Sequence, residues 1–458
     1  MSDTLPALLS SAAREIAAAG GEAYIVGGWV RDRLMGVPSG DYDIEVYGLP
    51  LDALMAILKK HGKPNLVGKA FGVITLTRDG VTYDFAFPRT ERKVGDGHRG
   101  FEVTADPSLD FATASSRRDF TINAMGMRLP DLELVDCHGG RADLERGVLR
   151  HVSAAFSEDP LRALRAVQFA ARFGFDIAPA TQALCAAQPL EELPRERLFA
   201  EFKKLLLKSP RPSIGFEWMR RMNMLRFFPE LAALVGVPQE PEWHCEGDVW
   251  THTLMVVDQA ARSRAEYPDE NDALAHMLAA LCHDLGKATF TIRKDDRWRS
   301  PGHEAGGDAP ARAFLARLTN EAGLVDAVAT LVREHLMPAQ LYKVRDVLRP
   351  SAIRRLALRV DIQKLVRLAR ADHLGRTTEE ALAGQFPAGE WLLEQSRHLD
   401  VLAQRPAPFL TGKFLLSLGL KPGPELGKII AESFELQLEG ELADVAAAEN
   451  WARTRVVG

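Results

Sequence analysis

A short apolar run, Tyr24-Ile25-Val26, stops at Gly27-Gly28, and the next residues, Trp29 to Met35, suit a helix with Arg31 in its first turn. The pattern predicts a strand, a glycine turn and a helix start. Glycines there let backbone N–H groups approach an anionic ligand, and the helix N-terminus adds a field favourable to phosphate. After Gly36-Val37-Pro38-Ser39-Gly40, the stretch Asp41 to Val46 alternates polar and apolar with period two. In a strand, Asp41, Asp43 and Glu45 then share one face, opposite Tyr42, Ile44 and Val46. Carboxylates crowded on one face repel unless something neutralises them. A hard divalent cation bound by oxygens does so, and it bridges naturally to the phosphates of a nucleotide at the glycine turn. An isolated D-x-D is more often solvated acid on an edge strand; its coupling to GGxVRD at this distance reverses the balance towards the metal reading.

A chain of 458 residues has room for two to four domains. Its formal net charge of -5 supplies no global basic field, so contact with a polynucleotide has to come from local Lys/Arg patches. Cys137, Cys185, Cys245 and Cys282 lack C-x-x-C spacing, which argues against a disulfide framework or zinc ribbon and fits a reducing cytoplasm. Met1 to Gly20 has charges and no long apolar core, unlike a signal peptide. No apolar run reaches the roughly 18 residues that a membrane span needs. A cytoplasmic protein without membrane contact is expected.

Taken in order, Pro6–Ala19 and Leu51–His61 read as helices, and Gly72–Arg78 and Val81–Phe87 as strands joined by an Asp79-Gly80 hairpin turn. Asp84 sits on a small-residue face of the second strand, as a third metal carboxylate or as an edge charge. Arg89–Phe101 has charges, three glycines and no periodicity, the pattern of a mobile loop. Arg117 and Arg118 precede a helix-like run and suit a clamp on a triphosphate, because the guanidinium fork matches phosphate oxygens. Ser157 to Arg172 predicts a helix with Ser157 as N-cap. On it Asp159, Arg162 and Arg165 recur every three residues. A carboxylate accepts from an exocyclic amine and a guanidinium donates to a ring nitrogen, the edge that cytosine and adenine share and that guanine and uracil lack. A surface ion pair is the plainer use of D-x-x-R. Glu191–Leu207 reads as a basic amphipathic helix, Ser213–Phe227 as another, and Val237–Trp243, with two prolines, as a linker.

Beyond the linker the chain becomes helical and rich in histidine. Val249–Leu254 opens a helix carrying His252, and Asp272–Leu285 ends in His283-Asp284 before Gly286. Neighbours on a helix diverge by about 100 degrees, so His283 and Asp284 share an ion only where other helices converge. His252 and Asp372 are the candidates to complete that site, and His303 and His335 to hold a second ion or a substrate phosphate. Imidazole with carboxylate suits Mn, Ni, Co, Fe or Zn, and an ion so held activates water for phosphoester hydrolysis. In the tail, Lys413, Lys421 and Lys428 lie beside glycines, as backbone-phosphate contacts or as solvated lysines.

GGWVRD, DYD, RTERKVGDGHRGF, SRRDFTINAM, GGRADLERGVLRHV and EDPLRALRAVQFAARFGF resemble, in order and spacing, the motifs of bacterial class II tRNA nucleotidyltransferases, the CCA-adding and poly(A) polymerase family. HTLMVVDQAA, CHDLGK, GHEAG, EHL and ADHLGR resemble the HD phosphohydrolase domain that many bacteria fuse to CCA-adding proteins. The resemblance implies an α+β fold: a polymerase-beta-like head with a mixed sheet over residues 1–150, an all-α neck over 151–235, the HD domain over 244–376 and a helical tail over 377–458. It implies that Gly27, Gly28, Arg31 and Arg118 bind incoming CTP or ATP, and that Asp41 and Asp43, with Asp84, are catalytic and hold magnesium. Asp159, Arg162 and Arg165 match the base-reading motif, and tRNA is the implied partner. Gln168 stands where the family carries Arg. Full CCA addition, with the 89–101 loop in C-to-A switching, is expected; CC-only, A-only or poly(A) addition, a protein whose main activity is the HD phosphatase or cyclic phosphodiesterase, and a non-catalytic RNA-binding protein are the alternatives.

Overall fold

The alternation at Asp41–Val46 becomes a central strand of a mixed sheet. The computed structural model describes residues 5–67, 73–93 and 101–456. Its strands are β1 (Glu22–Val26), β2 (Tyr42–Tyr47), β3 (Asn65–Val67), β4 (Val73–Arg78), β5 (Val81–Ala86), β6 (Arg89–Lys93), β7 (Phe101–Ala105), β8 (Gly126–Arg128) and β9 (Glu133–Val135). Seven form one sheet in the order β3-β4-β5-β2-β1-β8-β9, with β2 and β5 parallel and β1 antiparallel to both β2 and β8. Ile44 and Val46 point into a core with Leu9, Ile16, Ile25, Leu54, Ile74 and Phe85, under the helices Ala7–Ala18 and Leu51–Lys59. On the opposite face Tyr24, Tyr47 and Phe111 pack together, and Gly126 leaves room for the Phe111 ring, which an added Cβ would meet at 2.5 Å. Period-two alternation thus divides β2 between a dry face and the face that carries Asp43 and Glu45.

Several boundaries differ from the sequence reading for local reasons. Arg89–Phe101 is not all loop: β6 and β7 pair antiparallel, and residues 94–100 lie outside those described. The expected helix at 157–172 instead runs Leu161–Phe173, after a 3-10 turn at Ala154–Glu158. Pro160 forces Asp159 to extended backbone (φ -127°, ψ 105°), so no helix passes through it and Ser157 caps nothing. Asp159 Oδ1 accepts from Leu161 N at 3.1 Å instead. Asn223 at φ +54° ends the helix Pro212–Arg221 early.

The chain divides into two compact units, one of residues 1–205 with 214–227, the other of 206–213 with 228–458. Re-entry into the first unit is tight: a Cβ on Gly215 would meet Leu205 Cδ1 at 2.6 Å. The second unit is helical apart from a ribbon, Ile292–Lys294 with Arg297–Arg299, which the sequence reading missed. Its turn residues Asp295 and Asp296 both take positive φ, the hairpin conformation that Asp tolerates. The helices Val249–Ser263, Glu270–Cys282, Ala322–Glu334 and Ile362–Leu374 surround its histidines. No helix among the described residues is long and apolar enough to cross a membrane.

Candidate functional sites

The parallel register of β2 and β5 sets Asp43 directly beside Asp84, with Asp41 just ahead of β2. Thr75 Oγ1, on β4, donates to Asp84 Oδ1 at 2.7 Å and fixes that carboxylate. Asp43 is exposed, yet desolvation by the groups crowded around it pushes its carboxyl above the ordinary value; Arg118 opposes this, while Asp84, Asp41 and Glu45 add to it. Asp43 with Asp84 and Asp41 beside it offers only oxygen ligands and an unfavourable concentration of negative charge, which fits a hard divalent cation. Arg118 stands beside them, with Nη2 2.6 Å from Glu45 Oε1. The missing Cβ of Gly27 makes this closeness available, since that atom would lie 3.2 Å from Arg118 Nη1 and 3.9 Å from Asp43 Oδ2.

Next to the acids lies a cleft of about 360 Å³, lined by Arg117, Arg118, Arg162, Arg165 and Arg197 together with Asp119 and Asp159. Its arginines are held in place rather than loose. Arg162 donates to the carbonyls of Ala155 and Arg117, both at 2.7 Å. Arg165 grips Asp119 Oδ2 through Nε and Nη2 at 2.7 and 2.6 Å. Arg197 Nη2 lies 2.8 Å from Asp159 Oδ2. Burial acts to raise the Asp119 carboxyl, but Arg165 and Asn123 outweigh it and hold it low.

Arg31 departs from the expected contact with nucleotide. It is 4% exposed and does not line the cleft. Nε and Nη2 donate to Asp32 Oδ1, Nη1 donates to Asn123 Oδ1 at 2.6 Å, and the guanidinium lies over Phe173 and Phe169. It therefore ties the glycine turn to the helix Leu161–Phe173. Asn123, which also donates to Asp119 at 3.0 Å, is the relay the sequence reading overlooked. Its signal was the Asp119, Asn123 spacing of four.

In the second unit His252, His283, Asp284, His303, His335 and Asp372 converge, all buried. His252 Nε2 is 3.0 Å from Asp372 Oδ1, His283 Nε2 is 3.2 Å from Asp284 Oδ2, and His303 Nε2 is 3.2 Å from Asp284 Oδ1. His335 Nε2 stands off at 4.0 Å. In His283, His303 and His335 the Nδ1 atom bonds the carbonyl three residues back, at Ala280, Ser300 and Val332, leaving Nε2 for the centre. That second bond sets tautomer and aim as it does in metal-ligating histidines. His283 Nε2 and both Asp284 oxygens make no well-aligned hydrogen bond, so buried lone pairs converge on one another. The ligand atoms of His252, His283 and Asp284 lie within 4.8 Å of one another, as do those of Asp284, His303 and His335, and two such triads sharing Asp284 fit a transition-metal ion or a pair of them. Burial opposes the charge on Asp284, but His283 and Lys287 overcome it and hold the carboxyl well below the usual range.

Glu246, His244 and Lys287 were missed. Glu246 Oε1 receives His252 Nδ1 at 2.8 Å and His244 Nδ1 at 2.9 Å, and Lys287 Nζ reaches Asp284 Oδ2 at 2.7 Å and Gln239 Oε1 at 2.8 Å. Gln239 belongs to the stretch read as a linker, which here lines the site's cavity of about 720 Å³ with Trp243, Trp298 and Tyr342 at its walls.

Family models match three stretches: the poly A polymerase head domain over 23–150, the probable RNA and SrmB-binding site of polymerase A over 174–234, and the HD domain over 249–377. A multifunctional CCA protein of Xanthomonas campestris is 39% identical over 426 residues, covering 90% of this chain and 96% of that one. One from Laribacter hongkongensis is 40% identical over 358 residues, covering 77% and 82%. In structure, the chain resembles the Bacillus stearothermophilus CCA-adding enzyme in complex with CTP, with TM-score 0.66 at 22% identity over 98% of this chain and 99% of that one. It also resembles the Thermotoga maritima CCA-adding enzyme complexed with tRNA, with TM-score 0.60 at 20% identity over 98% and 94%. With a polymerase-type head and an HD region on one polypeptide, and this identity along nearly its whole length, the chain belongs to the multifunctional CCA protein family.

Proposed function

We propose that the first unit adds C and A to the 3′ end of tRNA from CTP and ATP without a template. The 3′-hydroxyl oxygen attacks the α-phosphorus, the bond to the β-phosphate oxygen breaks, pyrophosphate leaves with that electron pair, and the hydroxyl proton passes to water. Asp41 and Asp43, with Asp84, would hold magnesium, which when bound would supply neutralisation of the charge that builds up during the transfer. Arg118, anchored on Glu45, faces the triphosphate, and Gly27 and Gly28 keep the turn open to it. Asp159 accepts from the exocyclic amine of the base, and Arg162 and Arg165 donate to its acceptor edge, which admits cytosine and adenine and rejects guanine and uracil. The observation that carries this reading is the Asp43, Asp84 register beside an arginine-lined cleft. The deciding experiment offers tRNA transcripts lacking CCA, lacking CA or lacking the final A, with CTP and ATP separately and together. All three are expected to be completed; a product that never gains the terminal A refutes full CCA addition.

For the second unit we infer a phosphohydrolase. Its residues would hold Mn, Ni, Co, Fe or Zn through His252, His283, Asp284 and Asp372, with His303 and His335 at a second position; such an ion supplies an activated water. Lys287 beside Asp284 offers a positive charge to a substrate phosphate. Hydrolysis of a phosphoester by the metal-loaded chain, retained in Asp41→Ala with Asp43→Ala and lost in Asp284→Ala, is the expected separation of the two activities. The working boundaries are 1–150, 151–235, 244–376 and 377–458, in a cytoplasmic protein.

A further inference from the structure

A second cleft in the HD-bearing unit, about 500 Å³ in volume, shares no lining residue with the histidine cavity. Its wall is built by the far end of the His252 helix (Gln259, Arg262, Ser263), by the Asp372 helix (Gln363, Val366, Arg367, Arg370, Ala371, Leu374) and by Leu393, Arg397 and Leu402. At about 100 degrees per residue, Gln363, Arg367, Arg370 and Leu374 lie on the side of their helix away from Asp372. The cleft thus backs onto the same two helices that supply the candidate metal ligands.

Its charge is lopsided. Four arginines, Arg262, Arg367, Arg370 and Arg397, face it with one carboxylate, Glu266. Glu266 is taken by Arg367, at 3.3 Å, and Arg367 also lies over the Tyr267 ring at 4.6 Å. Among the described residues Arg262 donates only to the neutral amide of Gln259, at 3.3 Å. Among the described residues Arg370 and Arg397 have no carboxylate partner. Arg262, Arg370 and Arg397 thus line the concavity with positive charge that no neighbouring carboxylate among the described residues neutralises, a rim open to an anion. Val366, Ala371, Leu374, Leu393 and Leu402 also line the cleft and are all less exposed than those three arginines, giving it an apolar floor. A charged rim over an apolar floor suits a ligand with a phosphate at one end and a flat, weakly polar body at the other, because guanidinium forks bind phosphate oxygens and stack on planar rings.

We propose that this cleft is a second nucleotide site, separate from both candidate active sites, which takes a nucleotide phosphate carried by a free mononucleotide or by RNA. The test is amide hydrogen exchange on the full chain, followed in peptides spanning 362–370 and 391–398. The probes are AMP, inorganic phosphate and a tRNA transcript, on the wild type and on Arg370→Ala with Arg397→Ala. Both side chains are exposed, so the double variant is expected to fold and to keep full nucleotide addition. AMP is expected to protect these peptides, with inorganic phosphate weaker and half-saturation raised at least about tenfold in the double variant, as two charge-assisted contacts are lost. Protection by tRNA alone, lost in the double variant, assigns the phosphate to RNA and supports the site. Equal protection by inorganic phosphate and AMP overturns the nucleotide assignment. No protection up to about 10 mM AMP and none with tRNA, or protection unchanged in the double variant, overturns the site itself.

Discussion

Gly27 and Gly28 are adjacent and chemically identical, yet their surroundings give them opposite tolerance of a methyl group. Gly27 has φ +74° and ψ -134°, a region that L-residues avoid, and holding alanine there costs about 1–3 kcal/mol. The new Cβ would also press on Arg118 Nη1 from 3.2 Å, loosening the guanidinium from Glu45. Gly28 is the first residue of a helix, and its Cβ would meet only Arg31 Nη2 at an ordinary 3.5 Å. Alanine in a helix is favoured over glycine by up to about 1 kcal/mol. Gly27→Ala should therefore lose about 1–3 kcal/mol while Gly28→Ala is neutral or gains slightly. At a factor of ten per about 1.4 kcal/mol, the first loss is about 5- to 150-fold. Native-state hydrogen exchange of β1 and β2, whose amides open with the sheet, reads that factor as lost protection. Equal protection in the two variants, or the larger loss in Gly28→Ala, would refute a strained turn centred on Gly27. Gly27→Ala should also raise KM for CTP through the displaced Arg118.

Asp119→Asn leaves Arg165, 32% exposed, without its counter-charge, and should destabilise the first unit by about 3 kcal/mol in urea unfolding while weakening CTP and ATP together. Gln168, 2% exposed, buries an amide Nε2 with no hydrogen-bond partner, so Gln168→Met should gain about 1 kcal/mol; a loss of that size would show that the amide is satisfied in solution. Burial, aided by Arg367, lowers His276 to about 4, whereas unfolded histidine titrates near 6.5. Between those values the unfolded chain takes up a proton that the native one refuses, so stability falls as pH drops from 6.5 towards 4, by about 1.4 kcal/mol per unit for this group. His276→Leu should flatten the urea midpoint between pH 6.5 and 5; an unchanged slope would exclude His276 as the source.

The sequence was most informative where physics is local. The face of β2 that bears Asp43 and Glu45 follows from alternation alone, and the turn at Asp79-Gly80 follows from residue type, with both at positive φ. The start of the Leu161 helix was equally legible, because Pro160 excludes Asp159 from it, but the serine was preferred as cap. Arg31 was not legible: its burial depends on Phe169 and Phe173, far along the chain, and a guanidinium near a glycine turn reads the same whether it faces ligand or ring. Glu246 was hidden for a related reason. Only the folded turn ahead of the Val249–Ser263 helix shows that one carboxylate meets His244 and His252 together. The β6–β7 hairpin escaped because the charges on Arg89–Lys93 mask any period.

The chain leaves the first unit after Leu205 and returns at Ile214, where Gly215 fits against Leu205. No single cut therefore separates two intact halves. A protease that clips at 205 strips the first unit of residues 214–227, and on the ribosome that unit lacks its last piece until Phe227 has emerged from the exit tunnel, by which time residues 206–213 of the other unit have already been made.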